Sequence, residues 1–232
     1  MIAILSALPE ECQSIRTALQ DTTEHPGPVT PVIQGHFKNQ KVILGLTGVG
    51  KAMAAMNTQW IIDKFKPRLL ILTGVAGAIH PDLNIGDLLI ARDCVQHDLE
   101  TIELKFPRGM VPYTQYRFLA SDPKLFEIAS GFHPRSGKLA SGRILTGDQF
   151  ITAIQRNTHA RVFAELQGDA VEMEGASVAL VAQIHRVPFL ISRTISDRAD
   201  GSAVDDFNSF LPRASAQAHD FIEYMLEAVS KV

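Results

Sequence analysis

The chain has 232 residues, 46% apolar and 20% charged, with a formal net charge of -3. That length buries one sizeable core without disulfides or metals to staple it. The near-neutral balance offers no basic field for nucleic acid, so a small neutral ligand or a protein partner is expected.

The run from Met1 to Ala7 reads as a first strand; it lacks the basic flank and cleavage site of a secretory signal. No apolar run along the chain has the length to cross a bilayer. Cys12 and Cys94 are far apart in apolar stretches and read as buried reduced thiols, which suits the cytoplasm.

Further apolar, β-rich runs follow at residues 41–47, 68–74, 87–93, 170–173 and 188–196. Several lack polar alternation, the mark of strands covered on both faces. Helical patterns lie between them at 9–19, 51–65, 123–130, 151–166 and 175–185. A last helix from about Asn208 carries Phe210, Ala214, Ala218, Phe221, Ile222, Met225 and Val229 on one stripe. The stretch Thr22–Pro31, with three prolines and a glycine, reads as a loop. This alternation predicts one α/β domain over residues 1–232, a mixed central sheet flanked by helices on both faces.

In such sheets ligands gather at the carboxyl ends of strands. Five segments are then candidates: 7–11, 48–51, 74–78, 173–176 and 196–200. The segment Gly45–Ala52, GLTGVGKA, nearly matches a phosphate loop, but Ala52 has no hydroxyl for magnesium. It is either a tight turn with Lys51 on the surface or a backbone cradle for a ligand. In Thr73–Ala78 the glycines allow close backbone approach or simply make a turn. Pro9 suits a first helical position, and Glu10 complements the helix dipole. Glu11 is the acid that can face the strand ends as a base towards water. Asp197, after an apolar strand, is either a turn cap or a buried acid able to donate a proton. Glu172 and Glu174 share a face if the strand continues and separate if a helix starts after Met173. In so apolar a setting a carboxylate needs a dedicated partner, and the vicinal hydroxyls of a ribose would satisfy one.

The segments AILSALPEE, TGVGKAMAA, LTGVAGAI, GDLLIARDCVQHDLE, TGDQFI, VEMEGASVA and TISDRAD, in that order, resemble the purine nucleoside phosphorylase and nucleosidase superfamily. Within it the similarity is greatest to the 5'-methylthioadenosine/S-adenosylhomocysteine nucleosidases. VEMEG together with ISDRAD is more specific than any single segment. The resemblance implies hydrolysis of the N-glycosidic bond of 5'-substituted adenosines, a place in nucleoside catabolism and methionine salvage, and a homodimer. It places the water-activating acid on Glu11, the ribose-binding glutamate on Glu174 with Met173 against the sugar, and the purine-protonating acid on Asp197 beside Ser196. It also implies that Phe150 stacks on adenine, that the backbone of Ile151 contacts the base, that Phe207 lines the 5' end, and that Leu8, Val49 and Val75 line the nucleoside site. Val75 stands where relatives often have serine. The loop 97–113 is expected to complete a neighbouring chain's 5' pocket, with Leu104, Phe106 and Pro112 as the matching residues.

Those residue types suit the chemistry, which calls for acid help at the base and water on the opposite sugar face. No cofactor or metal is expected, and none of the eight histidines, His97 included, falls in a metal-ligand spacing. Related phosphorylases carry an arginine after the first strand; here Pro9, Glu10 and Glu11 stand there, which favours water over phosphate. A futalosine hydrolase, a phosphorylase on the same fold and a non-catalytic nucleoside-binding protein are the competing readings.

Overall fold

A computed structural model describes residues 1–198 and 203–230, with side chains in the last helix from Phe210 onward. Strand β1 (Ile2–Ser6) lies between β4 (Gln40–Leu46) and β5 (Leu69–Leu72), parallel to both. Its five residues are all buried because both faces are covered. Ile2 and Ile4 join a cluster with Ile15, Phe221 and Met225, while Ala3 and Leu5 join one with Ala54, Ile61 and Val178. Helices α2 (Lys51–Phe65) and α5 (Gly175–Ile184) therefore cover one face. The other is covered by α1 (Gln13–Ala18), α3 (Pro123–Ser130) and α6 (Ala203–Val229).

The remaining strands are β2 (Gln20–His25), β3 (Val32–Phe37), β6 (Val75–Ala78), β7 (Leu88–Gln96), β8 (Leu119–Ala120), β9 (Leu139–Thr146), β10 (Ala170–Glu172) and β11 (Phe189–Asp197). Their order is β2-β3-β4-β1-β5-β11-β6-β10-β9-β7-β8, and β7 also pairs with β11. That extra pairing curls half the sheet into a closed ring of β11, β6, β10, β9 and β7. A third cluster, with Phe163 and Leu166 of α4 (Ala153–Leu166), packs against the ring through Val95, Leu145 and Val171. The mixed sheet with helices on both faces matches the architecture expected from the alternating elements.

Five local expectations need correction. The supposed loop at 22–31 contains most of β2, an almost wholly exposed edge strand with no apolar face to betray it. Strands β3 and β9, interrupted by Gly35 and Gly142, are present where no strand was expected. The glycine-rich segment 74–78 is largely strand β6 rather than a turn. The first helix splits into a 3-10 turn at Glu10–Cys12 followed by α1, and α6 starts at Ala203, ahead of the apolar stripe that marked its expected start.

Candidate active site

The carboxyl ends of β1, β10 and β11 and the first three residues of β6 meet the amino end of α2 around a cavity of about 260 Å³. Its lining draws on all five candidate segments: Leu8 and Glu11, Val49, Val75, Met173 and Glu174, Ser196 and Asp197, joined by Phe150 and Ile151. The size is near the lower end of small-molecule sites, which span roughly 300–1,000 Å³.

Glu11 is 3% exposed and both of its carboxylate oxygens are held by backbone. Oε2 accepts from the N–H of Ala7 at 2.8 Å and Leu8 at 2.9 Å, and Oε1 accepts from the N–H of Val75 at 3.0 Å. Burial pushes its pKa up; the Arg193 guanidinium and the three N–H donors hold it back. Val75 thus meets the site through its backbone, and a side-chain hydroxyl is not what anchors the acid.

The register places Asp197 opposite Gly77 and Thr194 opposite Val75. Glu11's anchor and Asp197's strand partner are therefore two residues apart on β6, about 7 Å along the strand. Asp197 is buried, and the Ser196 hydroxyl donates to its Oδ2 at 2.8 Å.

Strand β10 ends at Glu172 and α5 begins at Gly175, so the chain turns at Met173 and Glu174 and the two glutamates separate. Glu174 Oε1 accepts from the N–H of Gly50 at 2.9 Å, and its Oε2 lies 3.5 Å from an Arg193 nitrogen. Burial, then the neighbouring Glu172, push its pKa to about 7 against the pull of Arg193 and the Gly50 N–H. Gly50 has φ 87°, which favours glycine there and turns its N–H towards the carboxylate. The loop resembling a phosphate cradle thus serves the protein's own acid. Lys51 is neither a free surface lysine nor aimed into the cavity: it pairs with Asp98 at 2.7 Å.

Phe150, 45% exposed, and half-exposed Val49 sit at the rim, while Ile151 is buried. The side chain of Phe207 lies outside the described residues. Leu104, Phe106 and Pro112 do not line this cavity; Leu104 is 57% exposed, and Phe106 stacks edge-on with the exposed Tyr113. His97 is buried against His159 and Phe163, and burial lowers its pKa to about 4.

A family model described as the phosphorylase superfamily matches residues 1–227. The chain belongs to the phosphorylase superfamily. Its superfamily relatives include a 5'-methylthioadenosine/S-adenosylhomocysteine nucleosidase of Staphylococcus haemolyticus, 33% identical over 99% of this chain and 100% of that protein. An aminodeoxyfutalosine nucleosidase of Campylobacter jejuni is 36% identical over 97% of this chain and 98% of its own. Among solved structures, the 5'-methylthioadenosine/S-adenosylhomocysteine nucleosidase of Neisseria meningitidis in complex with methylthio-immucillin-A superposes with TM-score 0.91 at 28% identity, covering 98% of each chain.

One buried charge behind the cavity was not singled out from the sequence. Arg193 is fully buried in β11, where one of its terminal nitrogens donates to Glu172 and approaches Glu174. Burial opposes its charge, but Glu172, Glu174 and Glu11 outweigh that and raise its pKa. The signal was present: a lone arginine inside the apolar run FLISRTIS needs buried carboxylates to accompany it.

Proposed function

We propose that the protein hydrolyses the N-glycosidic bond of 5'-substituted adenosines, such as 5'-methylthioadenosine, S-adenosylhomocysteine and 5'-deoxyadenosine, releasing adenine and the 5'-substituted ribose. The observation that carries the mechanism is the state of Glu11. Its carboxylate occupies the N–H groups of Ala7, Leu8 and Val75, donors that an anionic phosphate would otherwise claim. A buried carboxylate at that place repels phosphate and accepts a proton from water.

In this reading the water oxygen attacks C1' as the C1'–N9 bond breaks. The bonding pair passes into the purine, whose N7 takes a proton from Asp197, and Glu11 takes the proton that the water loses. Glu174 accepts hydrogen bonds from the ribose 2'- and 3'-hydroxyls, and its charge stabilises the oxocarbenium-like sugar. Met173 packs on the sugar, and Phe150 with Ile151 bounds the base. Arg193 keeps a nitrogen on the Glu11 side: a Cβ at Gly74 would collide with Arg193 Nη1 and come within 2.6 Å of Glu11 Oε1. Water held there gains a donor as well as a base.

We further propose a homodimer in which the loop 97–113 closes the 5' end of the neighbour's cavity. The outward display of Ile102, Leu104 and Tyr113 supports this. The likeness to an aminodeoxyfutalosine nucleosidase makes that nucleoside one to assay beside the others. No helix among the described residues is long and apolar enough to cross a membrane. The free thiols of Cys12 and Cys94 support a cytoplasmic setting.

The test is a pair of isosteric variants. Glu11→Gln and Asp197→Asn should each lower kcat by about 10²–10⁴-fold, the span of one acid–base group, while a non-hydrolysable nucleoside analogue still binds. Near-normal turnover in either variant would reject that residue's role.

A further inference from the structure

The mechanism leaves one buried carboxylate of the cavity wall without a part. Glu172 lines the cavity and is 7% exposed. Its Oε1 accepts from the Thr146 hydroxyl at 2.5 Å. Its Oε2 accepts from the N–H of Glu174 at 3.0 Å, from the N–H of Gly175 at 2.7 Å and from Arg193 Nη2. Thr146 Oγ1 in turn accepts from the N–H of Ala176 at 2.8 Å. One acid and one hydroxyl therefore satisfy three consecutive N–H groups of the turn that presents Glu174.

The same acid determines how Arg193 is shared. Three carboxylates compete for this guanidinium, yet the described side chains give it hydrogen-bond partners only at Nη2. Nη1 and Nε, both buried, have none. Without Glu172 the fork would turn to pair with Glu11 or Glu174, and a Glu11 in direct ion pairing is a weaker base.

We propose that Glu172 is a positioning residue for the hydrolysis: it anchors Nη2 of Arg193 so that Nη1 stays directed beside Glu11 at the water site, and it fixes the peptide that carries Glu174. It touches no reacting atom. The inference rests on the hydrolytic reading, and wild-type assays test that reading separately: wild type that releases no adenine defeats the reading itself.

Glu172→Gln keeps an oxygen for the backbone donors and removes the charge. It should lower kcat for 5'-methylthioadenosine by about 10–100-fold, the scale of a small misplacement at a reacting centre. KM should stay within about 3-fold, since the diol-binding and base-binding groups remain in place. The groups in the field of Glu172 are Arg193, Glu174, Cys94 and His97. Glu172 is the second cause, after burial, of the raised pKa of Glu174. The acid limb of the kcat/KM profile should therefore move to lower pH in the variant. A purely structural cap would lower Tm and leave kcat where it was, and that result overturns the proposal. Should the variant fail to fold, Thr146→Val removes one bond from Glu172, and with it the acceptor of the Ala176 N–H, without touching the cavity lining. A fall in kcat of about 5-fold or more at unchanged KM supports the proposal; unchanged kcat overturns it.

Discussion

Two arginines lie in the same curled sheet beside buried carboxylates, and their surroundings differ in kind. Arg143 on β9 is saturated: Nε and Nη2 fork onto Asp93 at 2.5 and 3.1 Å, Nη1 donates to the Leu166 carbonyl at 2.7 Å, and the plane rests 3.9 Å from the centre of the Phe118 ring. Arg193 on β11 faces three acids yet has two nitrogens without partners among the described residues. A part-buried ion pair with a partner at every nitrogen joins strands. One with spare donors, buried behind the cavity-wall carboxylates Glu11, Glu172 and Glu174, carries a cost in stability that the rest of the fold must offset.

Conservative replacement separates the two most sharply, because lysine keeps the charge and loses the fork. Arg193→Lys cannot hold Glu172 and a water beside Glu11 together, so kcat should fall about 100-fold, as expected for a reacting group displaced by about an ångström. A variant retaining wild-type kcat would remove the distinction. Arg143→Lys should leave kcat per folded molecule unchanged and cost about 2 kcal/mol in denaturant unfolding, the worth of one charged hydrogen bond. An activity loss at unchanged stability would contradict its structural role.

The smallest effect is a pH slope. Glu174 has its pKa raised from 4.5 to about 7 in the ligand-free fold, so between those values the native state binds more protons than the unfolded chain. Its contribution to stability is then largest below about pH 4.5 and is lost as pH rises towards 7. Glu174→Gln should remove that part of the slope in thermal unfolding, whereas Arg143→Lys should leave it in place. Identical slopes in wild type and Glu174→Gln would contradict the raised pKa.

The sequence was legible where burial left a compositional trace. Apolar runs located β1, β4, β5 and β11, and helical stripes located α2, α3, α5 and α6. It was silent where a strand needs no apolar face, as in exposed β2, or where glycines serve close approach, as in β6 and β9. The cavity's five converging segments followed from the rule that ligands sit at strand ends. Which acid meets which N–H could not follow, because Gly50 to Glu174 and Val75 to Glu11 are contacts across 124 and 64 residues. Glu174 took its role from the resemblance and Glu172 was given none, because the partners that distinguish them, Thr146 and Arg193, lie on other strands.

The central claim is that a carboxylate holds the place a phosphate would need and that water is the nucleophile. Its most direct test is chromatography of 5'-methylthioadenosine turnover by the purified protein, in phosphate-free buffer and with phosphate added. Adenine and free methylthioribose at equal rates in both buffers is the predicted result. Adenine only when phosphate is present, with a sugar 1-phosphate as co-product, would contradict it.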